Sequence, residues 1–148
     1  MGQELQIHIL QSESEIERAF PLMHELRDRI RAGTFLQEVR RQQNEGYVLA
    51  GGFADGQTPV CLAGFRIAST LARGPHLFVD DLVTSSQNRG RGYGTQMLRW
   101  LAAYAKERQI QRIYLDSRDT AAGFYGQVGF TFLTSIPCWI DPQRLLQS

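Results

Sequence analysis

Two periods of hydrophobic and polar residues run along this chain, and their order predicts its elements. Leu5 to Leu10 alternates, with Leu5, Ile7 and Ile9 on one face, and predicts a first strand. Ser12-Glu13-Ser14-Glu15 has capping-box spacing and opens a helix whose apolar stripe is Ile16, Phe20, Met23 and Leu26, with Pro21 a point of kinking or splitting. Gly33 breaks the pattern; Thr34 then caps a second helix over Phe35 to Asn44, which Gly46 ends. Tyr47 to Phe53 is a strand, Ala54-Asp55-Gly56-Gln57 a turn with Asp-Gly chemistry, and Val60 to Ala68 the returning strand. Leu71 to His76 is a loop and Leu77 to Val83 the next strand. Further on, Met97, Leu98, Leu101, Tyr104 and Ala105 form one face of a helix over Gln96 to Arg108. Ile110 to Asp116 is a strand, Thr120 to Val128 a short helix closed by Gly129, and Phe130 to Ile140 one long bent strand or two, interrupted near Pro137.

The order β-α-α-β-β-β-α-β-α-β predicts an α/β layered domain with a mixed sheet. The strand-helix-strand unit from Leu77 to Asp116 predicts a right-handed parallel crossover. At 148 residues the chain is expected to be one domain, residues 1–148, with a core that needs no disulfides. A net charge of +1 provides no general field for nucleic acid or a membrane surface. With no signal-like N-terminus and no apolar run long enough to span a bilayer, a cytoplasmic location is expected. Cys61 and Cys138 lie in strand-like apolar settings and are expected to be reduced core thiols; their spacing suits no metal site.

The segment that changes this picture is Arg89-Gly90-Arg91-Gly92-Tyr93-Gly94-Thr95, between an apolar strand and an amphipathic helix. A glycine-rich turn at a strand-to-helix junction turns backbone N–H groups toward an anion, and the helix N-terminus adds partial positive charge. The implied ligand carries phosphate. A P-loop is excluded, because no lysine precedes Thr95. A dinucleotide fingerprint stays open: Gly90 and Gly92 fit its first two glycines, Gly94 falls one place early, and Asp116 ends the following strand about where a ribose-binding acid would sit.

Arg89, Gly92 and Gly94, read as Arg-x-x-Gly-x-Gly, resemble the acyl-CoA pyrophosphate loop of the GNAT superfamily of N-acetyltransferases. Downstream, Ala121 to Phe130 is similar to that family's Ala-x-x-Phe-Tyr-x-x-x-Gly-Phe block. The resemblance implies the GNAT fold: a mixed, mostly antiparallel sheet flanked by helices, with a central pair of parallel strands that splay apart to admit the pantetheine arm. It implies acetyl-CoA as acetyl donor, with Arg89, Gly90, Arg91, Gly92, Tyr93, Gly94 and Thr95 around the diphosphate and the backbone of Leu82, Val83 and Thr84 along the pantetheine. Arg89 holds the pattern's basic position and Arg91 a variable one.

Acetyl transfer from a thioester to an amine requires a proton for the leaving thiolate and a neutral amine. A phenol titrates near ~10 and a thiol near ~8.5, so a tyrosine keeps its proton at neutral pH and can pass it to the thiolate. Tyr125 falls on the family's general-acid position; the alternative is an aromatic that only packs. Asp80 and Asp81 interrupt an otherwise apolar strand, where burial costs even neutral polar groups about 2–7 kcal/mol without partners. Strand alternation places the two on opposite faces, one of them toward the substrate cleft. The run Val79 to Val83 is similar to the acidic strand of diamine and polyamine acetyltransferases, which implies Asp80 as base and amine anchor; an exposed pair or an arginine salt bridge is the alternative, favoured for Asp81. Two positions depart from the family pattern: Arg118 stands where many relatives have Asn, and Ala122 where a small bacterial subset has His. His8, His24 and His76 are read as surface or structural residues.

The implied function is transfer of an acetyl group from acetyl-CoA to a small-molecule primary amine. Peptide or protein N-acetylation and a non-catalytic acyl-CoA-binding module are the alternatives. Family members often dimerise, and the last strands, with Trp139 and Ile140, are the candidate surface for a homodimer.

Overall fold

The computed structural model describes residues 3–147. Contacts divide the chain into two compact units, Met1–Asp116 and Ser117–Ser148. The first unit holds a five-stranded sheet in the order β1-β2-β3-β4-β5. Its elements are β1 (Gln6–Ile9), α1 (Glu13–Leu26), α2 (Ala32–Gln43), β2 (Tyr47–Phe53), β3 (Cys61–Thr70), β4 (Gly74–Thr84), α3 (Tyr93–Glu107) and β5 (Ile113–Leu115). β1 to β4 pair antiparallel; β4 and β5 pair parallel, as the crossover pattern predicts.

The sheet buries both faces. Leu62, Tyr47, Leu49 and Val83 pack with Ile16, Leu22 and Met23 of α1 and Phe35 and Val39 of α2. The opposite face carries Phe65, whose ring meets Trp100 and Tyr104 of α3 edge-on. Period 2 along β3 sets this division: Leu62, Gly64 and Arg66 face α1 and α2, and Cys61, Ala63 and Phe65 face α3.

Several boundaries move for local reasons. The Ser12–Glu15 capping box forms at the start of α1 as the sequence predicts. That helix runs unbroken through Pro21, whose ring is exposed, so the Glu17 carbonyl left without its donor lies on the wet side. Thr34 is not the cap of α2: the helix starts at Ala32 after Arg31, with Gly33 in the first turn, where a glycine costs little. Of the predicted loop Leu71 to His76, residues 71–73 form a turn and Gly74 to His76 is strand, because the turn closes a β3–β4 hairpin that pairs back to Gly74. α3 begins at Tyr93, a turn early, because the Tyr93 side chain is buried and anchors that turn.

β4 contains the feature that shapes the sheet. Gly64 pairs with Asp81 but Phe65 pairs with Val79, so Asp80 is an extra residue, a β-bulge. A bulge bends its strand and increases local twist. β5 pairs with β4 only from Leu77 to Val79, stopping at the residue before the bulge. Beyond it, among the described residues, Asp80 to Thr84 has no strand along that edge.

The second unit contains a 3-10 turn (Asp119–Ala121), α4 (Ala122–Val128) and α5 (Pro142–Leu146). Gly129, at φ 118°, closes α4, and the N–H groups of Gly129 and Phe130 both return to the Tyr125 carbonyl. The strand or strands predicted from Phe130 to Ile140 do not form. An apolar run becomes a strand only where another edge lies beside it, and Pro137 removes a ladder donor. Phe132, Leu133, Ile136 and Trp139 are exposed instead, and Cys138 is exposed with them rather than in a core. α5 is an element the periodicity did not predict; Asp141 caps it through the Gln143 N–H at 2.9 Å, with Pro142 in the first turn.

Candidate active site

The open edge of β4 leads through a 3-10 turn (Ser86–Asn88) into the glycine loop. Gly90 and Gly92 have φ of 81° and 80°, the left-handed region that favours glycine. Gly92 is also the N-cap of α3 and has no side chain to offer, so the first-turn N–H groups of that helix lack a side-chain cap. A Cβ at Gly90 or Gly92 would meet nothing within 4 Å, so open space lies over both. Arg89 and Arg91 are exposed beside them, whereas the Tyr93 side chain is buried and only its backbone faces the loop. Uncapped donors, two cations and open space fit a diphosphate.

Neighbouring elements fix this turn. Gln96, in the first turn of α3, accepts the Leu5 N–H at 2.8 Å and donates to the Gln3 carbonyl at 3.0 Å. Glu25, near the end of α1, accepts the Ser86 N–H at 3.0 Å. Leu82 and Thr84 are half-buried and Val83 buried, so along this edge it is backbone that a ligand would meet. The Thr84 hydroxyl donates to Cys61 Sγ at 3.6 Å; burial pushes that thiol up to about 11.

The two aspartates do not face opposite sides. The bulge cancels one step of the alternation, so Asp80 and Asp81 both reach the α1–α2 face. Asp80 Oδ2 accepts from Arg66 Nε at 2.7 Å. Asp81 Oδ1 accepts from Arg27 Nε at 2.9 Å, and its Oδ2 accepts from the Tyr47 hydroxyl at 2.7 Å. Arg27 Nη2 also holds the Asp80 carbonyl at 2.8 Å. Arg66 stacks over the Tyr47 ring and donates from Nη2 to Gln42 Oε1 at 2.9 Å. Tyr47 and Arg66 are cross-strand partners, which puts both partner groups in reach of the bulge. Burial first, and then the Asp81 carboxylate, push the Tyr47 phenol well above its ordinary value.

Arg27, Tyr47, Arg66 and Gly64 are the residues that sequence reasoning missed. A strand arginine between Phe65 and Ile67 was a signal of the same kind as the paired aspartates. Gly64 gave none: a Cβ there would lie 1.9 Å from the Tyr47 hydroxyl oxygen, so the tyrosine reaches Asp81 across a glycine. His76 is structural, buried with Nδ1 2.8 Å from the Gly74 carbonyl and its ring edge-on to Tyr114. In the second unit Tyr125 is buried on α4, with Phe124 and Phe130 edge-on to its ring.

The Acetyltransferase (GNAT) family model matches residues 7–130. The chain belongs to the GNAT acetyltransferase family. This N-acetyltransferase is similar, at 31% identity over 132 residues, to the uncharacterized N-acetyltransferase YhdJ of Bacillus subtilis, covering 84% of this chain and 92% of that one. Its fold matches aminoglycoside antibiotic 6'-N-acetyltransferase AAC(6')-Ih of Acinetobacter baumannii at TM-score 0.78 and 16% identity, over 93% of this chain and 97% of that one. It also matches the ribosomal-protein-alanine N-acetyltransferase of Brucella melitensis at TM-score 0.76 and 19% identity, over 93% and 99% of the two chains. One fold thus serves a small-molecule and a protein acceptor in these neighbours, and the acceptor has to be argued from the site. Membership of an acetyl-CoA-using family replaces the dinucleotide reading of the loop. Among the described residues no helix is long and apolar enough to cross a membrane.

Proposed function

We propose that this acetyltransferase moves the acetyl group of acetyl-CoA to the primary amine of a small molecule by direct attack in a ternary complex. The observation that carries the reading is the open β4 edge running from the Asp80 bulge into an uncapped helix start with two left-handed glycines. The cofactor supplies an activated thioester. Backbone groups of Leu82, Val83 and Thr84 hold its arm, and Arg89, Arg91 and the N–H groups from Gly90 to Thr95 hold its phosphates.

Asp80 anchors the ammonium and takes its proton through water. Among the described residues both oxygens of Asp81 are engaged, whereas Asp80 is engaged through Oδ2, which favours Asp80 as the anchor. Such a group is needed because an amine of pKa ~10.4 is neutral in only about one molecule in two thousand at pH 7. The neutral nitrogen bonds to the acyl carbon, the carbon–sulfur bond breaks, Tyr125 gives its hydroxyl proton to the sulfur, and the nitrogen releases its second proton to solvent as the amide forms. Solvent then returns one proton to Tyr125 and removes one from Asp80. The support for Tyr125 is its place in the Phe124-Tyr125-x-x-x-Gly129-Phe130 block. We also propose a homodimer through Trp139 and Ile140, both exposed.

Thiol release from acetyl-CoA, measured across a panel of amines and peptides, tests the reaction. Tyr125→Phe should keep cofactor affinity and lower turnover by about 10²-fold or more, the scale of general acid catalysis. Unchanged turnover would remove Tyr125 from the mechanism, and release with peptides alone would replace the small-molecule acceptor.

A further inference from the structure

The bulge carries two anions, but it is not an anionic site. Asp80 is paired with Arg66 at 2.7 Å and Asp81 with Arg27 at 2.9 Å, so the four charges sum to zero. This separates the chain from what the acidic run suggested by itself. A diamine or polyamine brings a second cation, which gains from surplus negative charge; here it would approach two guanidinium groups, each beside the carboxylate it seeks. At a few ångströms such like-charge contacts cost as much as the opposite contacts gain.

The cations are also accessible. Arg27 is 43% exposed and Arg66 29%, against 28% for Asp80 and 15% for Asp81. A guanidinium has five N–H donors over three nitrogens. Among the described residues the bonds to Asp80, Asp81 and Gln42 use Nε and Nη2 of these arginines. Nη1 of each takes no part in these bonds. Both guanidinium groups are braced, Arg66 by the Tyr47 ring and Gln42, Arg27 by the Asp80 carbonyl. A braced, charged fork suits a planar or tetrahedral oxyanion.

We infer that the acceptor is a small amine that carries its own anionic group, with its ammonium at Asp80 and its anion on Arg27 and Arg66. The inference rests on the acetyltransferase reading and adds the acceptor's chemical class. The anion can be a carboxylate, as in an amino acid, or a phosphate, as in a phosphorylated amino sugar.

Matched pairs distinguish these outcomes in the wild-type enzyme. Thiol release is compared for lysine against 1,5-diaminopentane, alanine against ethylamine, and glucosamine 6-phosphate against glucosamine. The expected result is a kcat/KM at least about tenfold higher for the anionic member of one pair, equivalent to about 1.4 kcal/mol; the pair that responds identifies carboxylate or phosphate. Arg27→Gln should then collapse that ratio by raising KM for the anionic member, and Arg27→Lys should restore part of it. Preference for the diamine, or equal use within every pair, overturns the inference and leaves the acetyltransferase reading standing. An equal loss for both members in Arg27→Gln makes Arg27 a purely structural brace and also overturns it. No release with any of these amines, while CoA still binds in calorimetry, overturns the small-molecule acceptor on which the inference rests, and the inference with it.

Discussion

At the scale of single residues, the site depends on one atom that is missing. Gly64 has no Cβ, and the Tyr47 hydroxyl passes through that space to Asp81. Gly64→Ala should therefore destabilise the fold by about 1–3 kcal/mol, the usual cost of overfilling a packed interior, as read from denaturant midpoints. Tyr47→Phe in that background should not restore stability, because the ring carbon bearing the hydroxyl is itself 2.4 Å from the added Cβ in the unrelaxed geometry. Full additivity of the two changes would argue that they act independently. The cysteines supply a second residue-scale test. Cys61 is buried, with its thiol pushed up to about 11, and Cys138 is exposed. A thiol reagent at pH 8 should modify one cysteine in the native protein and two after unfolding, since the thiolate is the reactive form. Rapid native modification of Cys61 would contradict its burial.

At the scale of elements, the two helix ends that matter are built in opposite ways. α1 is closed by its own side chains: Ser12 Oγ accepts the Glu15 N–H, and Glu15 accepts the Ser12 N–H. α3 has no side-chain cap and begins at the glycine loop. The α1 cap has a pH signature. The Gln11 and Ser12 N–H groups hold the Glu15 carboxyl down at about 2, from 4.5. A group with a lowered folded pKa contributes stability above its unfolded value, and the contribution is lost as pH falls through the folded value. Glu15→Gln should thus be less stable than wild type at pH 7, and the gap should narrow between about pH 4.5 and 2. Ser12→Ala should cost about 0.5–2 kcal/mol at neutral pH, and thermal melts across this pH range check both variants.

At the scale of the whole molecule, the unfinished part is apolar. Trp139 is 90% exposed and Ile136 84%, with Phe132 and Leu133 in the same segment. Clustered exposed apolar side chains mark surfaces that another molecule covers. With the proposed homodimer, sedimentation should give twice the chain mass, and Trp139→Ala with Ile140→Ser should return it to a monomer that keeps its far-ultraviolet dichroism. A wild-type monomer at high concentration would reject the dimer.

Local signals were legible wherever one residue carried its own reason. The Ser12–Glu15 box, the β2 boundaries, the Asp55-Gly56 turn and the Gly90–Gly92 loop needed only short-range chemistry, and the parallel crossover followed from element order. Pairing across the sheet was not legible in that way. Alternation predicts opposite faces for Asp80 and Asp81, because a bulge is a relation between two strands and leaves no mark in one. Likewise Phe130 to Ile140 has the composition of a strand, but a strand exists only against a partner edge. The amino-acid order alone decided that there is a glycine loop before a helix, an acidic step in a strand and a tyrosine block. Only the three-dimensional arrangement decided that the acids share a face and that each meets an arginine, because those partners lie 14 and 54 residues away in the chain.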